Sequence, residues 1–159
     1  PETLDMDMSA LLTAPPAGPL STSVKPCPEG EFRAVIDDGE KWISFREFDS
    51  KKNGQTYQTA EVTFKILDDE VRKTLAKDNV FVPWKTFLDV IVVNGNPALD
   101  STEGKNVSLG RLMDTAGVNG QGILALRGKG PFMVKVKHRP DDKDPTIKYA
   151  EISRVAKIG

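Results

Sequence analysis

The chain has 159 residues, 38% apolar and 28% charged, with one cysteine, one histidine and a net charge of −1. That composition fits one soluble domain with a modest core, and its bulk charge does not mark a nucleic-acid binder. No run approaches the ~18 apolar residues of a membrane span, and Cys27 with His138 is too few ligands for a Cys/His zinc cluster. A lone cysteine fits a reducing compartment. The opening "PETLDMDMSALL" is acidic where a secretory signal is basic, so no signal peptide is expected.

The charge is unevenly placed. Residues 31–122 carry 12 basic and 15 acidic side chains, whereas residues 123–159 carry nine basic and four acidic. One end of a near-neutral protein is therefore basic.

Residues 1–28 read as an extended arm. "TAPPAGPLSTSVKPCP" is too rich in proline for a regular element, and "LDMDMSALL" has room for one helical turn. Residues 29–159 read as the folded domain. "EFRAVIDD" opens a first strand that turns at Asp38-Gly39, and "KWISFREF" continues it after a bulge or turn. Asn53-Gly54 signals a hairpin. "TYQTAEVTFKIL" is the clearest strand: Ala60, Val62, Phe64 and Ile66 share one face, and Tyr57, Thr59, Glu61, Thr63 and Lys65 the other. "DDEVRKTLAKDN" is a short helix or a long turn. "VFVPWKTFLDVIVV" is a third strand region, in which Pro83 argues for an edge or a bulge.

"NGNPALDSTEGKN" reads as a loop. "SLGRLMDTAGV" reads as a helix capped by Ser108, with Leu109, Leu112 and Met113 on one face and Gly117 at its end. "PFMVKVKHR" alternates Phe132, Val134 and Val136 against Met133, Lys135, Lys137 and Arg139. "PDDKDP" turns the chain into "TIKYAEISRVAKI", a last strand. The expected fold is mainly β: a five-stranded OB-like Greek-key barrel with one short helix between strands 3 and 4, plus the N-terminal arm. A sandwich of similar strand count is the alternative.

Three stretches carry a resemblance: "PEGEFRAVI", "KNVSLGRLMDTAGVN" and "LRGKGPFMVKVKHRPDDKDPTIKYAEISRVAKI". They resemble small tailed-bacteriophage proteins with an OB-fold, similar to phage single-stranded-DNA-binding proteins. In these a P-E-G-E-[FY] phrase opens the first strand, and a Leu-rich helix ends at glycine before a "GK" step into a basic strand. The resemblance implies a role in the host cytoplasm during infection, or else in the virion. The chain departs from many single-strand binders in ending "SRVAKIG", with no acidic run.

No catalytic motif appears. His138 sits among basic residues beside a turn and reads as a solvated strand-end residue. "GRLMDTAGVNGQG" lacks Walker spacing, and the carboxylates at Asp37/Asp38, Asp68/Asp69/Glu70 and Asp141/Asp142/Asp144 look like solvated turns. No enzyme activity, cofactor, metal, membrane or small-molecule substrate is expected. Single-strand binding needs cations for phosphates and aromatic faces for bases. The candidates are Trp42, Arg46, Tyr57, Lys65, Trp84, Lys85, Lys135, Lys137 and Arg139. Trp42 and Trp84 also suit a core; Phe64, Phe132, Phe81 and Phe87 read as core; Glu151 offsets part of the basic stripe. The partner is single-stranded DNA or, alternatively, other virion subunits reached by the arm, with homo-oligomers open.

Overall fold

A computed structural model describes residues 8–21, 24–50, 52, 54 and 56–158. It contains strands β1 (Gly30–Ile36), β2 (Ile43–Asp49), β3 (Thr56–Ile66), β4 (Val80–Leu88), β5 (Val90–Val93), β6 (Asn96–Leu99), β7 (Phe132–Pro140) and β8 (Lys148–Lys157), with helices α1 (Asp69–Leu75) and α2 (Val107–Thr115). All ladders are antiparallel. Six strands form one sheet, in the order β2-β3-β1-β7-β8 with β4 on β3; β5 and β6 form a separate ribbon.

The alternation of β3 sets the core. Ala60, Val62, Phe64 and Ile66 are buried, and their β4 partners Val82 and Trp84 are buried with them. Phe132, Val134 and Val136 of β7 meet this layer, with Phe132 edge-on to Phe64 at 6.3 Å between ring centroids. Leu109, Leu112 and Met113 of α2 and Leu126 complete it. Among the described residues no polar or charged side chain is buried.

β1 and β2 act as successive halves of one strand. Ile36 pairs with Phe64 and Ile43 with Val62, so both halves lie on the same edge of β3. Between them residues 37–42 loop out. Asp37 N–H donates to Thr63 O at 2.9 Å, and Thr63 N–H donates to Trp42 O at 2.8 Å, so the ladder passes under the excursion unbroken. The loop drops the Trp42 ring into the core.

Among the described residues eight strands stand where five were expected. One extra strand comes from the β1/β2 interruption. The other two come from residues 90–99, expected as a strand end and a loop. Asn94 (φ 52°) and Gly95 (φ 79°) both take left-handed backbone, the requirement of a type I′ hairpin turn, and they fold Val90–Val93 back on Asn96–Leu99. The sheet also lacks a ladder between β4 and β8. Pro83 accounts for this locally. Thr63 spends both backbone groups on residues 37 and 42, so the opposite pair Thr63/Pro83 is not hydrogen-bonded, and the Pro83 nitrogen points away from β3 toward β8. A proline there offers no donor, which matches the edge position expected for it.

Helix α2 has Asn106, not Ser108, at its N-cap, and Asn106 makes no side-chain cap bond. Its amide is committed elsewhere: Asp89 N–H donates to Oδ1 at 2.9 Å, while Nδ2 donates to the carbonyls of Asp89 and Asp100 at 2.9 and 3.0 Å. The side chain that a cap would use instead clamps the base of the β5–β6 ribbon. At the other end Gly117 (φ 74°) donates to Asp114 O at 3.0 Å and Val118 to Met113 O at 2.9 Å. That pair is a Schellman ending, and only a residue at ease in left-handed backbone supplies it cheaply.

A 3-10 turn covers Met8–Leu12; the first part of the helical turn expected near it, and Asn53 of the expected Asn-Gly turn, lie outside the described residues. The described residues 8–21 are exposed throughout. From Lys25 the chain docks. His138, expected to be solvated, is half-buried and ties down this segment: its backbone N–H donates to Glu29 Oε2 at 3.1 Å, and its Nε2–H donates to Cys27 O at 2.6 Å.

Candidate nucleic-acid interface

Antiparallel register decides which side chains face out. On β7 and β8 the outward pairs are Lys135 opposite Arg154, Lys137 opposite Glu151 and Arg139 opposite Tyr149. On β4 the outward residues are Phe81, Pro83, Lys85 and Phe87, with Lys65 opposite Phe81, Glu61 opposite Lys85 and Thr59 opposite Phe87. Alternate residues on a strand stand about 6.6 Å apart, so this row is a strip of two aromatic rings with a proline and a lysine between them.

The two surfaces meet at an ion triad. Arg139 Nε–H donates to Glu151 Oε1 at 2.7 Å, and Lys85 Nζ lies 3.4 Å from the same oxygen. Burial pushes the Glu151 carboxyl up, but the Arg139 hydrogen bond and charge, with Lys85, outweigh it and hold the group below its ordinary value of 4.5. The same hydrogen bond moves Arg139 further into its charged range. Arg139 also lies over the Tyr149 ring, 5.3 Å from the centroid, and the Tyr149 hydroxyl donates to Asp141 Oδ1 at 3.0 Å. Asp141 in turn accepts from the backbone N–H groups of Lys143 and Asp144 at 3.0 Å each, which fixes the β7–β8 turn.

Two clefts open on this face and share Glu61, Lys85, Arg139 and Glu151. One, of about 750 Å³, runs from the triad to the root of the arm. Its walls carry five cations (Lys25, Lys77, Lys85, Arg139, Lys148) against Glu61 and Glu151, together with Phe81 and Tyr149. The other, of about 910 Å³, runs toward the β2–β3 hairpin. It carries Arg46, Lys85 and Arg139 against four carboxylates, Glu47, Glu61, Asp142 and Glu151, with Phe87. The face is thus one trough with a basic half and an acidic half.

The structure distributes the nine sequence candidates unevenly. Lys85 and Arg139 come together at the triad. Arg46 lines the acidic half, and Tyr57 lies edge-on to Phe87 at 5.7 Å and 66° near its end. Lys65 stands beside Phe81. Lys137 faces Glu151, and Lys135 faces Arg154 on the adjoining β7/β8 surface. Trp42 and Trp84 are 5% and 8% exposed and offer no ring to a base, because the looped-out turn and the β4 alternation both direct them inward. The reverse correction applies to Phe81 and Phe87, which are 50% and 60% exposed rather than in the core. Carrying the alternation of Val80, Val82 and Trp84 through Pro83 would have turned both outward with Lys85. Tyr149, Lys148, Lys77 and Arg154 were also missed; the parity of β8 shifts at a bulge near Val136, which a period alone does not register.

Lys135 and Arg154 are like charges directly opposed, an arrangement that costs stability in a two-stranded pair. Among the described residues no group of three or more His, Cys, Asp and Glu side chains is placed to hold a metal, and no helix is long and apolar enough to cross a membrane. The chain matches no protein-family model, no curated protein and no solved structure.

Proposed function

We propose that this is a non-catalytic, OB-like protein that binds single-stranded DNA along the outer trough, in the manner of the phage single-strand binders its sequence resembles. Element order supports the OB-like part of the reading: with β1 and β2 counted as one interrupted strand, and α1 and the β5–β6 ribbon as insertions, the chain runs strand, β3, β4, α2, β7, β8, with a helix between the third and fourth strands as in an OB fold. The observation that carries the reading is the basic half of the trough: five cations against two carboxylates around two exposed aromatic rings, Phe81 and Tyr149. Cations track a phosphate backbone and rings stack bases, each stacked base contributing about 1–3 kcal/mol. The like-charged pair Lys135/Arg154 extends the cationic surface along β7 and β8.

The test is fluorescence anisotropy of a labelled single strand of ~30 nucleotides at low and moderate salt. Binding should weaken steeply with salt, because each phosphate neutralised releases counterions. No binding at low salt ends this reading. A second reading, a virion structural protein on the same barrel, is favoured by one observation: residues 8–21 of the arm are exposed and carry no charge. Absence of the protein from purified particles by mass spectrometry would dispose of it.

A further inference from the structure

We propose that the cleft between α2 and the C-terminal half of β8 is a second anion site, which binds consecutive phosphate groups without contacting a base. This cleft, of about 590 Å³, shares no lining residue with either half of the trough. Arg111 enters it from α2 and Arg154 from β8, with the hydroxyl-bearing Ser108 and Thr115 on the same helix face as Arg111. A smaller cleft, of about 360 Å³, is also lined by Arg154 and adds Lys135 and Lys157. Arg154 therefore joins two concave surfaces that carry four cations between them.

These charges are not compensated within the protein. Among the described residues none of the four cations forms an ion pair, whereas Lys85 and Arg139 in the trough are both held by Glu151. Two carboxylates line the clefts. Asp114 accepts from Asn119 Nδ2 at 2.9 Å, and Glu31 stands opposite Lys135 in the β1/β7 ladder. Arg111 lies one turn before Asp114 on the helix and makes no ion pair with it.

A bulge sets Arg154 against Lys135. Lys137 pairs with Glu151 and Val136 with Ile152, so an even ladder would place Ser153 opposite Lys135. Ser153 is instead the extra residue: its hydroxyl donates to Lys135 O at 3.2 Å, and Arg154 takes the opposed position. Bulges re-aim side chains in this way beside functional sites. Opposed cations cost stability, and an anion held between them converts the repulsion into attraction. Arginine suits phosphate in particular, because its planar fork donates two parallel hydrogen bonds to the oxygens. Among the residues lining the two clefts the one aromatic is Trp84, which is 8% exposed and offers no face for stacking. The clefts therefore read phosphate, and both a free polyphosphate and a nucleic-acid backbone present that chemistry.

The experiment is calorimetric titration of the full chain with inorganic tripolyphosphate at ~150 mM salt, where attraction between distant charges is screened. The variants are Arg111→Gln and Arg154→Gln, both at exposed positions and checked for native circular dichroism. The wild type should bind saturably, and each variant should weaken binding at least tenfold, since each removes hydrogen bonds to a charged ligand. Arg154→Gln should melt no lower than wild type, because it relieves the repulsion from Lys135, which separates lost binding from lost fold. No saturable binding up to ~5 mM, or binding that both variants retain, overturns the proposal. A competing abasic deoxyribose-phosphate strand identifies the source: displacement of tripolyphosphate assigns the site to a nucleic-acid backbone, and persistence assigns it to a free polyphosphate. An abasic strand has no bases to stack on Phe81 or Tyr149, so this site and the single-strand reading of the trough can fail separately.

Discussion

On the proposed reading Glu151 competes for the cations that a phosphate would use, so removing its charge should strengthen single-strand binding. The carboxylate accepts from Arg139 at 2.7 Å and sits 3.4 Å from Lys85 at the junction of both clefts. A strand crossing the junction must displace it. Exposed ion pairs are each worth about 0–1 kcal/mol, so freeing two cations lowers the cost of binding by up to about 2 kcal/mol, or roughly 30-fold in affinity at low salt. Two further phosphate contacts would also steepen the salt dependence by up to about 1.4 in log–log slope, at about 0.7 per contact for single strands. The assay is anisotropy of a labelled single strand with wild type and Glu151→Gln over a salt series. Unchanged affinity with unchanged slope refutes the competition. A weaker Glu151→Gln would show instead that the carboxylate positions Arg139 for the ligand.

The same group gives a pH test. Its folded pKa is depressed, so its contribution to stability is present above the ordinary value of 4.5 and is lost as pH falls through the folded value. Glu151→Gln should therefore lose less stability than wild type across that acid window, measured by denaturant titration at each pH. Equal losses in both proteins would place the acid sensitivity elsewhere.

Phe81→Ala and Tyr149→Ala should each weaken single-strand binding by about 1–3 kcal/mol while leaving the fold intact, because both rings are exposed; anisotropy and thermal melts read the two effects separately. Burial, aided by the charge of Asp68, pushes the Cys27 thiol up to about 11. Its reaction with a disulfide reagent at pH 8 should be about 100-fold slower in the native than in the unfolded chain, and equal rates would contradict the burial. Gly117→Ala should cost about 1 kcal/mol, or a fall of about 2–4 °C in Tm, because a Cβ there meets open space but forces a side-chain-bearing residue into left-handed backbone. A Tm within 0.5 °C of wild type would remove the Schellman ending as the reason for glycine.

Strand alternation made the core legible in the sequence. The inward sets of β3 and β7 follow from period two alone, as does the buried face of α2 from helical spacing. The trough was only half legible. Lys85 and Arg139 were nominated, but what brings them together is the approach of β4 to β8, a long-range contact no local pattern encodes. Aromatic residues were misassigned because size suggested burial, while parity decides it: Trp84 and Phe87 lie three apart on one strand and therefore face opposite ways. The Asn94-Gly95 turn was readable by the rule applied to Asn53-Gly54. The proline after it, Pro97, weakened the strand reading, yet a short two-stranded ribbon tolerates a missing donor on an outer position.

If the trough binds a single strand, as proposed, the division of charge within it constrains how much of that strand it holds. The basic half offers cations to successive phosphates, whereas toward the hairpin Glu47, Glu61 and Asp142 would repel them. Electrostatic capture is then confined to the stretch between the arm root and the triad, the lower end of the ~4–16 nucleotides that OB folds occupy. Affinity per protein should rise with oligonucleotide length up to about 4–6 nucleotides and then grow only through the number of available registers. If it climbs steeply to 12 or more at low protein occupancy, the acidic half must also engage the strand. The carboxylates there would then have to turn away or be neutralised on binding. Glu47→Gln with Asp142→Asn, which should leave a short-footprint protein unchanged, would in that case tighten it.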